Sequence, residues 1–239
     1  WVAADPYWGT AHLVCEVLRN LVSVGATPVA LTDCLNFGNP EDPEVFDEFI
    51  RSVRGLGDAA RAFGPKGTAG PPIAIVSGNV SFYNEGSSGR SIEPSPIVAG
   101  LGVLEDWSVA TTSAIKRPNS VLVLSGTRQD RLGASQLRYA LLGDAGGSLP
   151  ELGFERERRR IYAALEAVRR GVVLACHDIA EGGLAMAAFE MALGGHASQG
   201  LGLQLPISGL GDLAPEAKLY SEAPGFLFEV AKERLPEFL

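Results

Sequence analysis

Amphipathic helices and short apolar strands alternate along the whole sequence. In the first half, Val14 and Leu18 belong to a helical hydrophobic pattern, and an apolar strand-like run follows at residues 29–35. The second half repeats this succession, with a helical pattern at residues 156–170 and a strand-like run at 172–176. Because both element types occur in both halves, the pattern predicts an α+β fold built from two units, each a sheet flanked by helices.

A stretch without clear periodicity separates the two halves. Residues 105–118 have the character of a connector, and a new strand pattern begins at Val121. We place the boundary near residue 112, which divides the chain into domains at residues 1–112 and 113–239. The length of 239 residues suits two domains of this size and allows a core without disulfide or metal support.

The charge pattern argues against a nucleic-acid-binding protein. The formal net charge is −8, and the one arginine-rich stretch, at residues 156–160, is interleaved with glutamates. Such a stretch is typical of a solvated helix face, whereas duplex binding requires a basic surface. No apolar run reaches the roughly 18 residues of a membrane-spanning helix. The sequence therefore predicts neither nucleic-acid nor membrane partners.

The cysteines and the chain ends give two further expectations. Cys15, Cys34 and Cys176 are odd in number, widely spaced and set in apolar sequence, so we expect them to behave as small hydrophobic residues, with no structural zinc site and a cytoplasmic location. The chain begins at Trp1 without a methionine and stops just as a helical pattern begins. We therefore expect that both ends are cut and that the chain is part of a longer protein.

The first polar motif, TDCLNFGNP, occupies residues 32–40. It places Asp33 near the end of an apolar strand, before a loop of asparagine and glycine. A carboxylate in that position can hold Mg²⁺ or a nucleotide hydroxyl. The alternative is a strand followed by an ordinary turn, with the Asp33 carboxylate bonded to nearby backbone.

The second motif, SGNVSFYNE, occupies residues 77–85 and directly follows a short apolar strand. Gly78 lets the backbone approach a ligand closely. Asn79 offers an amide oxygen suited to a hard cation, and Ser81 offers a hydroxyl. The alternative is an ordinary polar turn without a ligand.

The third motif, CHDIAEGG, occupies residues 176–183. Gly182 and Gly183 precede an apolar helix, whose N-terminus can receive a phosphate. Adjacent strand residues point to opposite faces, so we expect His177 and Asp178 to be structural rather than an acid–base pair. With the strand-to-glycine loop at residues 125–135, these motifs together predict a ligand cleft between the two units. No Walker, GxGxxG, GxSxG or HExxH motif is present.

The motifs in their order resemble a known family. The strings at residues 32–41 (TDCLNFGNPE), 78–85 (GNVSFYNE), 176–185 (CHDIAEGGLA) and 220–230 (YSEAPGFLFEV) are similar to the C-terminal half of the synthetase subunit of formylglycinamide ribonucleotide amidotransferase. That subunit belongs to the AIR-synthetase-like superfamily. The resemblance covers essentially the whole chain, and the first two strings in succession are highly specific.

The resemblance implies a pair of AIR-synthetase-like domains and a part in purine biosynthesis. Members of the family are carbon–nitrogen ligases that use ATP and Mg²⁺ to convert formylglycinamide ribonucleotide to the amidine, with ammonia derived from glutamine. The implied partners are the ribonucleotide, the N-terminal half of the synthetase, a glutaminase subunit and a small accessory subunit. By itself, a chain of this kind is expected to be inactive.

Four site residues are implied by the resemblance. Asp33 and Gly78 match ATP-binding positions, Asn79 matches a magnesium ligand, and Ser81 matches a contact to the ribonucleotide. No catalytic residue is assigned in this chain. The family's catalytic histidine belongs to the N-terminal half, and the three histidines of this sequence, His12, His177 and His196, do not match it.

Two departures and two alternatives accompany this interpretation. The loop at residues 63–72 is longer than is usual in the family, and Arg131 and Ala134 replace the usual residues of a fourth motif, where we therefore assign no ligand.

The presence of both TDCLNFGNPE and GNVSFYNE disfavours another ATP-using member of the superfamily. A non-catalytic nucleotide-binding or assembly module stays open, and such a chain is expected to form a homodimer through its first domain.

Overall fold

The computed structural model describes residues 1–194 and 200–239 and contains two α+β units. The first unit contains α1 (Pro6–Ser23), β1 (Thr27–Asn36), α2 (Pro43–Ala62), β2 (Ala74–Ser81) and β3 (Ser95–Val103). The second contains β4 (Val121–Ser125), α3 (Gln136–Leu142), α4 (Phe154–Arg169), β5 (Val173–Ile179), α5 (Gly183–Gly194), α6 (Pro215–Tyr220), β6 (Gly225–Val230) and α7 (Leu235–Phe238). The predicted α+β class, with a sheet and flanking helices in each unit, is confirmed.

The two long helices of the first unit begin where capping chemistry places them. Asp5 precedes α1, and its carboxylate accepts hydrogen bonds from the backbone N–H groups of Tyr7 and Trp8. Asp42 caps α2 in the same manner through the N–H of Glu44. A proline follows each cap, at a position where its missing N–H costs no helical hydrogen bond. Local sequence therefore sets the start of both helices.

The sheet of the first unit has the order β2–β1–β3, with β2 parallel and β3 antiparallel to β1. Pairing with β1 shifts at one position of β2. Leu31 pairs with Ile75 but Thr32 pairs with Ser77, which leaves Val76 as an extra, bulged residue. After the bulge the register continues unbroken to the end of both strands.

Helix α1 covers one face of this sheet and leaves the other open. On the covered face, a Cβ atom added at Gly100 would lie 3.0 Å from Leu21 and 3.1 Å from Val17, so the helix packs directly on the β3 backbone. On the opposite face, Ile97 is 60% exposed and Leu101 is 61% exposed. Within the described residues, nothing packs over this second face, which we call the open face.

The two units share one hydrophobic core. The second sheet has the order β4–β6–β5, and its central strand β6 is buried along its whole length. Side chains of α1, including Val14 and Leu18, pack in one cluster with Ile161 and Val168 of α4 and Phe226 of β6. The units are therefore fused through α1 rather than joined by a flexible hinge.

The long loop at residues 63–72 also bridges the units. It contains a short 3₁₀ turn, Gly67–Ala69, and it lies against α4. The Tyr162 hydroxyl donates to the Phe63 carbonyl at 3.0 Å, and Arg158 Nη1 donates to the Pro65 carbonyl at 2.9 Å. This loop thus serves as a contact between the two units.

Two elements differ from the sequence prediction. The strand expected at residues 73–77 continues to Ser81, because each of residues 78–81 pairs with a residue of β1. The short helix α6 was not predicted, since six residues hold less than two turns of hydrophobic pattern. Among the described residues, no helix combines the length and apolar character that crossing a membrane requires.

Candidate functional site

The four predicted site residues lie on two neighbouring strands. Asp33 is in β1, and Gly78, Asn79 and Ser81 are in β2. In the parallel register, Asp33 lies beside Gly78. One patch at the centre and edge of the sheet therefore contains all four residues.

Strand alternation divides these residues between the two faces of the sheet. Asp33 lies on the covered face, because it alternates with Leu31 and Leu35, which are 2% and 4% exposed. Gly78 shares that face. Asn79 and Ser81 point to the open face, where the equivalent residues of β1 are Cys34 and Asn36. The two predicted ATP-binding positions thus lie behind the predicted metal and substrate positions.

Gly78 leaves room for the Asp33 carboxylate in its present position. A Cβ atom added at Gly78 would lie 2.7 Å from Asp33 Oδ1 and 2.8 Å from Oδ2, closer than side-chain carbons approach other atoms. Partial burial raises the pKa of Asp33 above its usual range. Within the described residues its carboxylate makes no hydrogen bond, so a turn that bonds Asp33 to backbone is not observed. The carboxylate is available to an external donor, such as a nucleotide hydroxyl.

Asn79 presents an amide oxygen on the open face. Its Nδ2 lies 3.8 Å from the Sγ atom of Cys34, so Oδ1 is directed away from that thiol. Magnesium keeps several waters and phosphate oxygens and takes few protein ligands, so one amide oxygen fits a Mg²⁺–nucleotide complex. In residues 1–194 and 200–239, no group of three His, Cys, Asp or Glu side chains could hold a metal by itself. Cys34 is only partly buried, whereas Cys15 and Cys176 are buried.

Ser81 ends β2 on the open face and contacts a residue that sequence reasoning missed. The Asn84 side-chain amide lies within 3.1–3.2 Å of the Ser81 hydroxyl. The same amide reaches two backbone carbonyls at the ends of β1 and β2. A sequence signal was present, because Asn84 is the penultimate residue of the GNVSFYNE string, but the string alone does not indicate what the side chain contacts.

In the motif at residues 176–183, His177 and Asp178 have structural partners. Asp178 is buried and lies 3.5 Å from Arg19 of α1, while His177 Nε2 lies 3.1 Å from Glu190 Oε2. Arg19 also donates to the Ile179 carbonyl at 3.1 Å. His177 Nδ1 lies 2.6 Å from the Asp178 carbonyl oxygen and 3.7 Å from Asp178 Oδ1, so the two side chains approach each other although they are neighbours on a strand. Because Arg19 and Glu190 also engage them, both residues have the structural role that was expected.

The glycine turn before α5 is already paired with a carboxylate of this chain. Glu222 Oε1 accepts from the N–H groups of Gly182 at 2.9 Å and of Gln136 at 2.8 Å, and Oε2 accepts from Trp1 Nε1 at 3.1 Å. Burial raises the pKa of Glu222. The expectation that this turn receives a phosphate is therefore not supported, because the Gly182 N–H already donates to the Glu222 carboxylate.

A cleft between the units is present, but it lies away from the four predicted residues. A cavity of about 510 Å³ separates α1 from the start of α5 and is lined by acidic side chains, including Glu16, Glu181 and Glu190. Burial, followed by the charge of Glu181, raises the pKa of Glu16 to about 7. The predicted inter-unit cleft and the predicted strand site are thus two separate places.

The histidines contribute no catalytic group to the strand site. His12 is buried, with Nε2 3.0 Å from the Pro150 carbonyl, and burial lowers its pKa to about 4. His177 is engaged with Glu190, and His196 lies outside the described residues. Neither of the two described histidines therefore belongs to the strand site.

Comparison with known families accounts for nearly the whole chain. Residues 1–104 match the family described as AIR synthase related protein, N-terminal domain, and residues 117–239 match AIR synthase related protein, C-terminal domain. The predicted pair of AIR-synthetase-like domains is confirmed. The division at residue 112 stays a prediction.

Two relatives are similar along almost all of this chain. Phosphoribosylformylglycinamidine synthase subunit PurL of Methanothrix thermoacetophila is 47% identical over 236 residues, which cover 98% of this chain and 30% of the relative. The subunit of the same name from Thermococcus sibiricus is 41% identical over 232 residues, covering 97% and 31%. The chain therefore spans about a third of the length of these relatives.

Solved structures share the fold at lower identity. Thermotoga maritima PurLQS has a TM-score of 0.67 at 21% identity, and it covers 99% of this chain and 35% of the compared one. T. maritima PurL complexed with ATP gives 0.62 at 19% identity, with the same coverage of 99% and 35%. T. maritima PurL complexed with FGAR gives 0.65 at 21% identity, covering 99% and 37%.

Proposed function

The chain belongs to the AIR synthase related protein family, and from this membership we propose that it forms the C-terminal part of a phosphoribosylformylglycinamidine synthase. The 47% identity to a PurL subunit over almost the whole chain supports this assignment. The complete protein would be a carbon–nitrogen ligase of purine biosynthesis with glutamine as amido donor. We place it in the cytoplasm, in keeping with its three unpaired thiols.

The proposed reaction activates a poor electrophile. The amide oxygen of formylglycinamide ribonucleotide attacks the γ-phosphorus of ATP, and ADP leaves. Ammonia then adds to the activated carbon, and the C–O bond breaks to release phosphate and form the amidine. Bound Mg²⁺ would offset the triphosphate charge. The residues of this chain contribute binding and orientation, which supply much of the catalysis in phosphoryl transfer.

The observation that carries the proposal is the position of Asn79 and Ser81 on the open face of the first sheet. Side chains on an uncovered face can reach a ligand held by a second protein layer packed against it. We propose that Asn79 ligates magnesium and Ser81 contacts the ribonucleotide on the open face, while Asp33 and the space at Gly78 serve ATP at the exposed edge of β2, from which a nucleotide can reach both faces. The N-terminal part of the synthetase would cover the open face and supply the catalytic residues.

Further subunits belong to the same proposal. The relatives that match this chain are PurL subunits, and a T. maritima structure that shares its fold is of PurLQS. We propose a glutaminase subunit and a small accessory subunit as partners of the complete synthetase, and formylglycinamide ribonucleotide as its substrate. A T. maritima PurL structure with FGAR supports the substrate, and one with ATP supports the nucleotide.

Asn79 provides the direct test of the metal assignment. In the complete synthetase, we expect Asn79→Ala to raise the Mg²⁺ concentration required for half-maximal rate. Asn79→Asp should have a milder effect, because it keeps a hard oxygen ligand at the same position. Steady-state rates across a magnesium titration at fixed ATP measure both variants.

The matched control is Asn119→Gly. Asn119 lies just before β4 with a φ of 60°, a conformation that glycine adopts freely, so this change removes an amide without straining the backbone. Its magnesium dependence should equal that of the unmodified enzyme. Unchanged magnesium dependence in both Asn79 variants would show that Asn79 is not a ligand.

The open face also supports the alternative of an assembly module. Ile97 and Leu101 expose apolar surface, and β2 and β3 each present an edge without a partner strand among the described residues. In the absence of the rest of the synthetase, we propose that two copies of the chain pair through their open faces. Two-fold pairing closes such an assembly.

Sedimentation at micromolar concentration measures this association. We expect the 25.1 kDa chain to give a dimer, and Leu101→Glu to shift it to monomer, because a charge would be buried at the contact. Leu141→Glu is the control, since Leu141 is 73% exposed on α3 in the other unit. A chain that stays monomeric as its concentration rises would exclude the homodimer.

A further inference from the structure

The side chain of Asn84 joins the ends of two strands beside Ser81. Its Nδ2 atom lies 3.0 Å from the Phe37 carbonyl, just beyond β1, and 2.9 Å from the Ser81 carbonyl, at the end of β2. Its Oδ1 atom lies 3.2 Å from the Ser81 hydroxyl oxygen. One amide therefore contacts both the backbone and the side chain of the residue proposed to bind the ribonucleotide.

Counting donors and acceptors fixes the direction of each bond. The Nδ2 group has two hydrogens, and the two carbonyl oxygens can only accept, so both hydrogens are used there. The reversed amide orientation would place Oδ1 against two other acceptors. Although Nδ2 also lies 3.1 Å from Ser81 Oγ, it has no third hydrogen to donate. The Ser81 hydroxyl must then donate its own hydrogen to Asn84 Oδ1.

The backbone around Asn84 holds this arrangement in place. Tyr83 adopts a left-handed φ of 58°, and its N–H donates to the Gly38 carbonyl at 2.9 Å. The Asn84 N–H donates to the Phe37 carbonyl at 3.2 Å, and its carbonyl accepts from Ile92 N–H at 3.1 Å. The position of the amide is thus set by main-chain bonds on both sides rather than by Ser81 alone.

We propose that Asn84 is a positioning residue that turns the Ser81 hydroxyl into an obligatory hydrogen-bond acceptor. The free lone pairs of Ser81 Oγ then receive a donor of the ribonucleotide, either a ribose hydroxyl or an amide N–H. They do not receive its phosphate, whose oxygens are acceptors. This inference rests on the proposed contact between Ser81 and the ribonucleotide and assigns the chemical polarity of that contact.

A double-mutant cycle in the complete synthetase tests the proposal. The KM values for ribonucleotide and for ATP are measured for the unmodified enzyme, Ser81→Ala, Asn84→Ala and the double variant. Loss of one net hydrogen bond corresponds to about a fivefold change, so each single change should raise the ribonucleotide KM about fivefold. The ATP KM should change by less than about twofold, and the double variant should match Ser81→Ala.

The outcomes separate the proposal from the function on which it rests. If the increase in ribonucleotide KM of the double variant equals the product of the increases in the two single variants, Asn84 acts independently of Ser81 and the positioning role is overturned. If Asn84→Ala lowers the ribonucleotide KM or leaves it unchanged, a freed hydroxyl serves as well or better, which overturns the acceptor assignment. If Ser81→Ala itself has no effect, the Ser81 contact is lost from the proposed function, while amidine synthesis by the enzyme still stands.

A second variant keeps the test decisive if Asn84→Ala does not fold. Asn84→Asp also removes both bonds to backbone carbonyls, but it retains an acceptor for the Ser81 hydroxyl. We therefore expect Asn84→Asp to raise the ribonucleotide KM less than Asn84→Ala, and the cycle can be run with it in place of alanine. Equal stability to heat in the compared variants shows that the fold is intact, and Asn119→Gly should leave both KM values unchanged.

Discussion

The chain produced alone is expected to form no amidine, and mixing it with the separately produced remainder of the synthetase is expected to restore synthesis. The reason is structural, because the open face presents Asn79 and Ser81 to a layer that this chain does not supply. An active site divided in this way loses the positioning of its reactants, a loss on the order of a thousandfold or more in rate. Amidine formation and ADP release, with ribonucleotide, ATP and ammonia supplied, measure the result.

The controls for this experiment follow from the same geometry. The remainder of the synthetase should also be inactive by itself, since it would lack the groups on β1 and β2. Mixing it with a Leu101→Glu chain should fail to restore activity, because a carboxylate would be buried where the open face is covered. Turnover by the chain alone at the rate of the mixture, with contaminating enzyme excluded, would contradict the proposal that the site is shared.

Replacing Arg19 by alanine is expected to lower the free energy of unfolding of the chain by about 3–5 kcal/mol. Arg19 lies in the core shared by the two units, where it pairs with Asp178 and donates to the Ile179 carbonyl. Its removal leaves a carboxylate buried without its cation, and the cost of an uncompensated buried charge exceeds the value of the pair itself. Urea unfolding of the unmodified and variant chains measures the difference.

Arg61→Ala provides the comparison for an exposed pair. Arg61 lies 2.6 Å from Asp58 on the surface of α2, where both side chains are largely in solvent. Its removal should cost less than about 1 kcal/mol. Replacing Asp178 together with Arg19 should recover part of the Arg19 loss, because no charge is then left unpaired. Equal costs for Arg19→Ala and Arg61→Ala would show that the buried pair does not anchor the units.

The regular elements could be predicted because their hydrophobic patterns are long or well bounded. The strand pattern beginning at Val121 ends at Ser125, as it does in the structure. The pattern at residues 156–170 corresponds to α4, displaced by only one or two residues at its ends. In these segments the local preference of the sequence and the packing of the fold agree. The α+β class followed from that agreement.

The end of β2 could not be predicted because tertiary pairing overrides a local signal. Gly78 and Asn79 are residues typical of turns, and no property of the string itself indicates that β1 lies alongside. Once β1 is present, its backbone groups pair with this segment and keep it extended. The division of the site between two faces follows only from this register. Likewise, the contact between Asn84 and Ser81 requires the turn at Tyr83, which spacing does not reveal.

The bulge at Val76 limits which insertions and deletions β2 can accept during evolution. After the bulge, the odd-numbered Asn79 and Ser81 point to the open face of the sheet, and the even-numbered Gly78 lies on the covered face. A one-residue insertion or deletion between the bulge and Gly78 would move Gly78, Asn79 and Ser81 to the opposite faces of the sheet. Insertions or deletions of two residues in β2 would keep each side chain on its face. The loop at residues 63–72 has no such alternation to preserve, so its length can change by any number of residues. Lineages can therefore lengthen the chain before this strand much more readily than within it.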